Sequence, residues 1–157
     1  MNYLPYLYGA YGSNLNVAQM ELRCPNAKRV GTMRLDDWRL VFRRVADIEP
    51  CEGESVELGL WQITEECLEA LDRYEGFPSL YYRRSIGSAP LEGCDRPVMS
   101  YLMVDSQTVT APADGYLGVI AAGYRDFGLD VIKLKDAIRH AFTNTSLSSG
   151  RENVIIT

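Results

Sequence analysis

Metal ligands and redox motifs are scarce in this sequence of 157 residues. It has one histidine, His140, and its four cysteines, at positions 24, 51, 67 and 94, form no C-x-x-C pair. A zinc site starts from closely spaced Cys or His ligands, and a catalytic triad would depend on His140 alone for its base. We therefore expect no metal site, and we expect the cysteines to be reduced, partly buried thiols.

Long apolar runs and an excess of positive charge are also missing. No stretch approaches the roughly 18–20 apolar residues of a membrane span, and the first residues lack the basic start and apolar run typical of a signal peptide. Lys and Arg number 16 against 21 Asp and Glu, a formal charge of −5, which does not favour binding to phosphate backbones. These features predict a cytoplasmic protein with no membrane or nucleic-acid partner.

The chain does contain enough apolar sequence for one core. It is 46% hydrophobic and 24% charged, as is ordinary for a domain of this length. Because no repeat and no long linker divides it, we expect a single domain over residues 1–142. Apolar residues at helical spacing predict a last helix around Asp130–Phe142, and the polar stretch at 143–157 predicts a loose tail.

Strands are predicted where aromatic and β-branched residues are concentrated. These segments are 3–11, 38–44, 56–63, 80–86 and 97–105. Between the second and third of them, the Glu- and Gly-containing stretch EPCEGES at 49–55 predicts a loop.

The stretch LYGAYGSNLN, residues 7–16, places turn-prone residues between the first strand and a helix over 16–23. Such a turn exposes consecutive N–H groups beside a helix N-terminus, which favours negative charge. Gly12 lets a ligand approach the backbone closely. Ser13 and Asn14 can either cap the helix or bond a ligand, and both interpretations stay open.

The segment TEECLEALDRYEG, residues 64–76, has the pattern of a capped helix. Thr64 is at the N-cap position, acids follow in the first turn, and Gly76 is placed as a terminator. The helix should therefore end beside Glu75, where the dipole and burial between Tyr74 and Phe77 should raise the carboxyl pKa. A solvated carboxylate at a helix end is the ordinary alternative.

Several stretches, taken in order, resemble the gamma-glutamyl cyclotransferase family over roughly residues 6–130. They are YGSNL at 11–15, CPNAKRVGTMRLDDWRLVF at 24–42, ALDRYEGFPSLYYRR at 70–84, SYLM at 100–103 and GYLGVIAAGYRDFGL at 115–129. The resemblance implies an α+β fold, a small mixed β-barrel flanked by helices. It also implies release of 5-oxoproline from a gamma-glutamyl amine, with neither metal nor cofactor.

The same resemblance assigns roles to individual residues. Glu75, in RYEGFP, matches the family's catalytic glutamate and would act as general acid and base. Tyr81 and Arg83 match a Y-x-R motif, in which we favour an ion pair for Arg83 over substrate contact. The residues implied to bind substrate are Tyr11, Gly12, Ser13, Asn14, Leu15 and Tyr116, with core packing an equal alternative for Tyr116.

The implied reaction suits these residue types. The free α-amine of a gamma-glutamyl amide can attack its own δ-carbonyl and close a five-membered lactam, so the substrate supplies the proximity. The protein has to manage protons and the oxyanion, which one carboxyl and a few backbone donors can do. The predicted partner is thus a small gamma-glutamyl compound, bound by a monomer or homodimer.

Two alternatives remain open. The acceptor group could be an amino acid, an amine, a lysine from cross-linked protein or an antibiotic intermediate, because EGFPSLY resembles one branch of the family and SYLM another. A non-catalytic binding module of the same fold is the second alternative, although retention of Glu75 argues against it.

Overall fold

One mixed sheet organises the computed structural model, which describes residues 1–105 and 107–156, with 146–156 described as helical backbone. The described residues form five strands in the order β2-β3-β1-β5-β4, with β1 and β5 parallel and the other neighbours antiparallel. The strands are β1 Tyr3–Ala10, β2 Lys28–Arg43, β3 Val45–Thr64, β4 Tyr81–Leu91 and β5 Cys94–Met103. The helices are α1 Val17–Arg23, α2 Glu65–Glu75, α3 Asp114–Phe127 and α4 Ile132–Ile156, and a 3₁₀ turn, Ser13–Leu15, precedes α1.

The sheet is barrel-like but not a closed barrel. In the described strands β2 and β4 are the two edges, and their side chains meet: a Cβ at Gly87 would lie 2.8 Å from Met33 Cε, and Arg84 lies 5.2 Å from the Trp38 ring. Register shifts interrupt β2 and β4, and such bulges bend an edge strand so that it pairs less readily with another strand. The α+β class and the mixed sheet are confirmed, whereas the barrel is open.

The prediction of a loop at 49–55 is wrong, because β3 continues through it. Trp38 pairs with Pro50 and Asp36 with Ser55, so the residues between lie opposite Asp37 as a bulge inside the β2–β3 hairpin. The Gly53 N–H donates to Asp37 Oδ1 at 3.0 Å and holds the bulge in place. The Glu and Gly residues mark a local irregularity rather than the end of a strand.

Helix caps decide where α1 and α2 begin and end. The Asn16 side chain caps α1 by accepting the Gln19 N–H, so neither Ser13 nor Asn14 is the cap of that helix. The α2 prediction is confirmed: the Thr64 hydroxyl accepts the Cys67 N–H, and Gly76 ends the helix with φ of 69°. A positive φ is accessible to glycine without steric cost, so Glu75 is held as the last helical residue.

The 3₁₀ turn is anchored between the sheet and α3. Leu15 is fully buried, and its Cβ lies 2.5 Å from the position that a Cβ of Gly123 would occupy. Nearby, the rings of Trp61 on β3 and Phe127 on α3 pack edge to face at 5.5 Å. The absence of a side chain at Gly123 therefore allows α3 to contact the turn directly.

Helix α4 extends beyond the predicted last helix. The sequence predicts a loose tail at 143–157, whereas the structure continues α4 to Ile156, and Thr157 lies outside the described residues. Asn144 and Thr145 donate from their side chains to carbonyls one turn earlier, so polar composition is compatible with helix here. Neither α4 nor any other helix in the described part of the chain is both long and apolar enough to cross a membrane.

The close packing at Gly123 predicts the outcome of a matched pair of substitutions on α3. Gly123→Ala should lower the free energy of unfolding by about 1–3 kcal/mol, because the new methyl group overlaps Leu15. Gly118→Ala meets nothing within 4 Å and should raise it by up to about 1 kcal/mol, since alanine is the better helix former. Urea unfolding measures both values, and equal effects would contradict the proposed anchor.

Candidate active site

A cavity of about 200 Å³ opens beside the 3₁₀ turn. Its wall combines that turn with the end of α2, the start of β3 and side chains from the sheet and α3. Six of the ten tyrosines line it, so most of the phenol groups of this chain are gathered in one place. The lining residues are Tyr8, Tyr11, Gly12, Ser13, Asn14, Val45, Ala46, Tyr74, Glu75, Leu80, Tyr81, Tyr101 and Tyr116.

Glu75 reaches this cavity because α2 ends there. It is the last residue of α2 and is partly buried, and the chain turns away at Gly76. Its Oε1 accepts a hydrogen bond of 3.2 Å from Asn14 Nδ2. The end of α2 and the 3₁₀ turn, 61 residues apart in sequence, are thus joined through these two side chains.

Asn14 is the most highly connected side chain on the cavity wall. Nδ2 also donates to the Tyr8 hydroxyl at 2.9 Å, and Oδ1 accepts from Arg23 Nη1 at 2.8 Å. Its main-chain carbonyl accepts from Trp61 Nε1 at 3.0 Å. Both ends of the amide are therefore satisfied, and its orientation is determined by its neighbours.

The turn itself contributes backbone groups. The N–H groups of Leu15 and Asn16 donate back to the carbonyls of Gly12 and Ser13 at 3.0 Å. The first N–H groups of a helical turn have no acceptor within the turn, which leaves those at its start for a ligand or solvent. The Ser13 hydroxyl lies 2.9 Å from the Tyr74 hydroxyl and links the turn to α2.

Two tyrosines hold the start of β3 against the cavity. The Ala46 N–H donates to the Tyr116 hydroxyl at 3.0 Å, and the Tyr81 hydroxyl donates to the Ala46 carbonyl at 2.6 Å. Tyr116 therefore both lines the cavity and supports its wall, so its two predicted roles are compatible.

Burial dominates the electrostatics. It raises the pKa of Glu75 to about 7, and the positive charge of Arg23 acts in the opposite direction. A raised pKa agrees with the expectation from sequence, and its main cause is desolvation. Burial also raises the pKa of five lining phenols, which therefore stay protonated near neutral pH: Tyr8, Tyr11, Tyr81, Tyr101 and Tyr116.

Most of the residues predicted from sequence are brought together. Tyr11, Gly12, Ser13, Asn14, Glu75 and Tyr116 all line the cavity. Leu15 does not, because its side chain is packed in the core. Arg83 lies outside as well: its Nε is 3.5 Å from Asp72 Oδ1 and its guanidinium stacks on Phe77 at 4.3 Å, as the ion-pair interpretation expects.

Sequence reasoning missed Tyr8, Tyr101 and Arg23. Tyr8 and Tyr101 pack edge to face at 5.7 Å, and the Tyr101 hydroxyl donates to Asp72 Oδ1. The composition could have indicated the two tyrosines, because ten tyrosines against four phenylalanines suggest that ring hydroxyls have a role. No local pattern distinguishes Arg23 from a solvated arginine at the end of a helix.

The side chains that line the cavity include few that could bind a metal ion. In the part of the chain that the structure describes, no three His, Cys, Asp or Glu side chains are grouped as ligands would be. Glu75 is the one carboxylate among the described lining residues, and phenols and amides surround it.

A small cavity holding one carboxyl of raised pKa has the character of an acid–base site. The sequence profile of the family described as "Gamma-glutamyl cyclotransferase, AIG2-like" matches residues 8–118. The chain belongs to this family. It is 31% identical over 137 residues to proteins named gamma-glutamylcyclotransferase in Homo sapiens and Bos taurus, a match that covers 79% of this chain and 72% of each relative.

Solved structures agree with this assignment. One named gamma-glutamyl cyclotransferase has a TM-score of 0.69 and 27% identity, and the match covers 84% of this chain and 85% of that one. YkqA from Bacillus subtilis has a TM-score of 0.72 at 22% identity, covering 92% of this chain and 56% of its own, and shows likeness of fold alone.

The raised pKa of Glu75 predicts a pH-dependent effect on stability. The folded value of about 7 lies above an unfolded value of about 4.3, so the folded state favours the protonated form and loses stability as pH rises between the two. Glu75→Gln keeps the acceptor for Asn14 and removes the charge. At pH 8 the variant should be more stable than wild type by about 1–3 kcal/mol, and the difference should vanish near pH 4.

Thermal unfolding at the two pH values measures this difference. Glu69→Gln on the exposed side of α2 is the matched control and should show no such dependence. A Glu75→Gln variant that unfolds at a lower temperature at pH 8 would mean that the ionised carboxylate stabilises the fold.

Proposed function

We propose that this protein is a gamma-glutamyl cyclotransferase that converts a gamma-glutamyl compound into 5-oxoproline and a free amine, with Glu75 as general acid and base. The observation that carries the proposal is the Glu75 carboxyl, whose raised pKa and contact with Asn14 occur within a cavity beside the Gly12–Ser13 turn. Family membership and the names of the relatives support the same activity.

Glu75 balances the protons of the reaction. Its carboxylate takes a proton from the substrate's α-ammonium, and the freed amine attacks the δ-carbonyl, so that a new C–N bond closes the ring and an oxyanion forms. The bond to the acceptor nitrogen then breaks, and protonated Glu75 delivers a proton to that leaving group. From ammonium to lactam the attacking nitrogen loses two protons, and the leaving nitrogen gains two on becoming an ammonium, so one carboxyl can serve twice.

A pKa near 7 suits both halves of this transfer. At neutral pH the carboxyl is present in both protonation states, so it can accept and later donate without a large cost in either direction. The neutral phenols around it contribute donors that can face the oxyanion, together with N–H groups at the start of the turn.

The size of the cavity supports a small reacting group. Its volume of about 200 Å³ is below the roughly 300 Å³ at which pockets for drug-sized ligands begin. A glutamyl group fits such a space with the acceptor directed outward. Tyr74 and Leu80 are 46% and 44% exposed at the rim, where an acceptor side chain would lie.

We propose a gamma-glutamyl amino acid as the first substrate to test; the name gamma-glutamylcyclotransferase that the relatives carry specifies the gamma-glutamyl group and leaves the acceptor open. The proposal also includes a cytoplasmic location, one domain over 1–142 and a monomeric or homodimeric state; the single sheet that contains all the described strands supports the single domain.

The proposed reaction predicts the identity of the product. Gamma-glutamyl-alanine should give 5-oxoproline and alanine in equal amounts with no added metal or nucleotide, and a chelator should not change the rate. Mass spectrometry distinguishes 5-oxoproline from glutamate. Release of glutamate would show attack by water and contradict the intramolecular reaction, and binding without any product would favour the non-catalytic module.

The role of Glu75 predicts a separation of chemistry from binding. Glu75→Gln should lower kcat by about 10² or more, the scale of general acid–base catalysis, while 5-oxoproline still binds. Glu69→Gln, an exposed change on the same helix, should retain wild-type kcat. Steady-state kinetics and calorimetry measure the two effects; a variant that loses binding but keeps kcat would assign Glu75 to substrate binding instead.

A further inference from the structure

Arg23 is placed to control the orientation of Asn14. It is the last residue of α1 and is not among the described residues that line the cavity. Its Nη1 donates to Asn14 Oδ1 at 2.8 Å, and the opposite end of the same amide, Nδ2, donates to Glu75 Oε1 at 3.2 Å. The Asn14 amide therefore connects Arg23 to the reacting carboxyl through one hydrogen bond at each of its ends.

The donors and acceptors of the three groups determine which way the Asn14 amide points. The two ends of an amide are nearly equal in shape, so its orientation depends on its partners. Arg23 has only donors and requires Oδ1 on its side, which turns Nδ2 toward Glu75. With the amide reversed, Oδ1 would face Glu75, and the carboxyl could form a hydrogen bond to it only when protonated.

Arg23 is itself held in one place. Its guanidinium stacks on the Tyr74 ring, 3.6 Å from the centroid, and its Nη2 donates to Gln19 Oε1 one helical turn earlier. Tyr74 precedes Glu75 on α2, so the stacking also joins the ends of α1 and α2. A planar guanidinium can stack and donate at the same time, which a lysine ammonium cannot do equally well.

We propose that Arg23 is a positioning residue that sets the orientation of the Asn14 amide and, through it, holds the Glu75 carboxyl in place for proton transfer. The inference rests on the proposed function of Glu75. Arg23 acts through Asn14 and touches no reacting atom. Its positive charge also opposes the rise in the pKa of Glu75, a through-space effect that is separate from the orientation of Asn14.

The other titratable side chains at the cavity do not compete for this role. They are phenols from the elements around Glu75: Tyr8 on β1, Tyr11 after it, Tyr74 on α2, Tyr81 on β4, Tyr101 on β5 and Tyr116 on α3. Burial keeps Tyr8, Tyr11, Tyr81, Tyr101 and Tyr116 protonated near neutral pH. Arg23 is thus the charged group that lowers the pKa of Glu75.

A double-mutant cycle tests whether Arg23 acts through Asn14. Wild type, Arg23→Met, Asn14→Ala and the double variant are compared for kcat and KM with gamma-glutamyl-alanine, and for the pKa of Glu75 by carboxyl ¹³C NMR. Arg23→Met should lower kcat about tenfold with KM within about threefold, and in the Asn14→Ala background it should change kcat by less than about twofold. An equal loss of kcat in both backgrounds, or no loss, would overturn the proposal.

The NMR measurement is independent of turnover. The ¹⁵N–¹H side-chain signals of Asn14 report its contact with Glu75: in wild type they should shift as the Glu75 carboxyl titrates, and in Arg23→Met this response should be lost or reduced by more than about half. The pKa of Glu75 should rise in Arg23→Met with or without Asn14, because the charge of Arg23 acts through space. Absence of 5-oxoproline with wild type would refute the proposed function only, and the Asn14 signals would still decide the role of Arg23, since an unchanged response in Arg23→Met overturns it.

Two further variants complete the experiment. Arg29→Met, which removes an arginine that stacks on Phe127 away from the cavity, should retain wild-type kcat and pKa of Glu75. If Arg23→Met does not fold, Arg23→Leu, which likewise has no donor, takes its place in the cycle, with the same expected and overturning results.

Discussion

The burial of Leu15 between the sheet and α3 is the constraint on which the site depends. A Cβ at Gly59 would lie 2.7 Å from Leu15 Cδ2, and one at Gly123 would lie 2.5 Å from Leu15 Cβ, so this side chain fills the space that two glycines leave open. The 3₁₀ turn is thereby pressed against β3, where Trp61 donates to the Asn14 carbonyl. Leu15 thus supports the site from the core, although the sequence places it with the substrate-binding residues.

With Asn14 held in this way, the position of Glu75 has a physical consequence. The carboxyl is desolvated by surrounding phenols, which cannot neutralise it as a cation would, and its pKa rises. The contact with the Asn14 amide limits where the carboxyl can lie. A group that titrates near neutral pH in a defined position is what transfer of a proton between two nitrogens of one substrate requires.

Much of the local structure follows from the sequence. Thr64 and Gly76 indicate both ends of α2, because caps act on neighbouring backbone groups, and the helix then carries Glu75 at its end. The turn at Gly12–Asn14 is likewise visible from residue types. The predictions at 49–55 and at the cap of α1 differ from the structure for two separate reasons. A loop signal cannot distinguish a bulge inside a hairpin from a strand end, and several adjacent residues can cap a helix.

The sequence by itself determined the family, the α+β class, the helix that ends at Glu75 and the turn that faces it, since all of these depend on short-range patterns or on ordered motifs. Only the tertiary structure decided that Asn14 meets Glu75 across 61 positions, that tyrosines from separate elements share one cavity, and that Arg23 lies behind the amide. Such contacts depend on how strands and helices pack over long sequence distances. The direction of the Glu75 pKa shift was predicted from sequence, but its size belongs to the same category, because burial is a property of the packed molecule and not of any one segment.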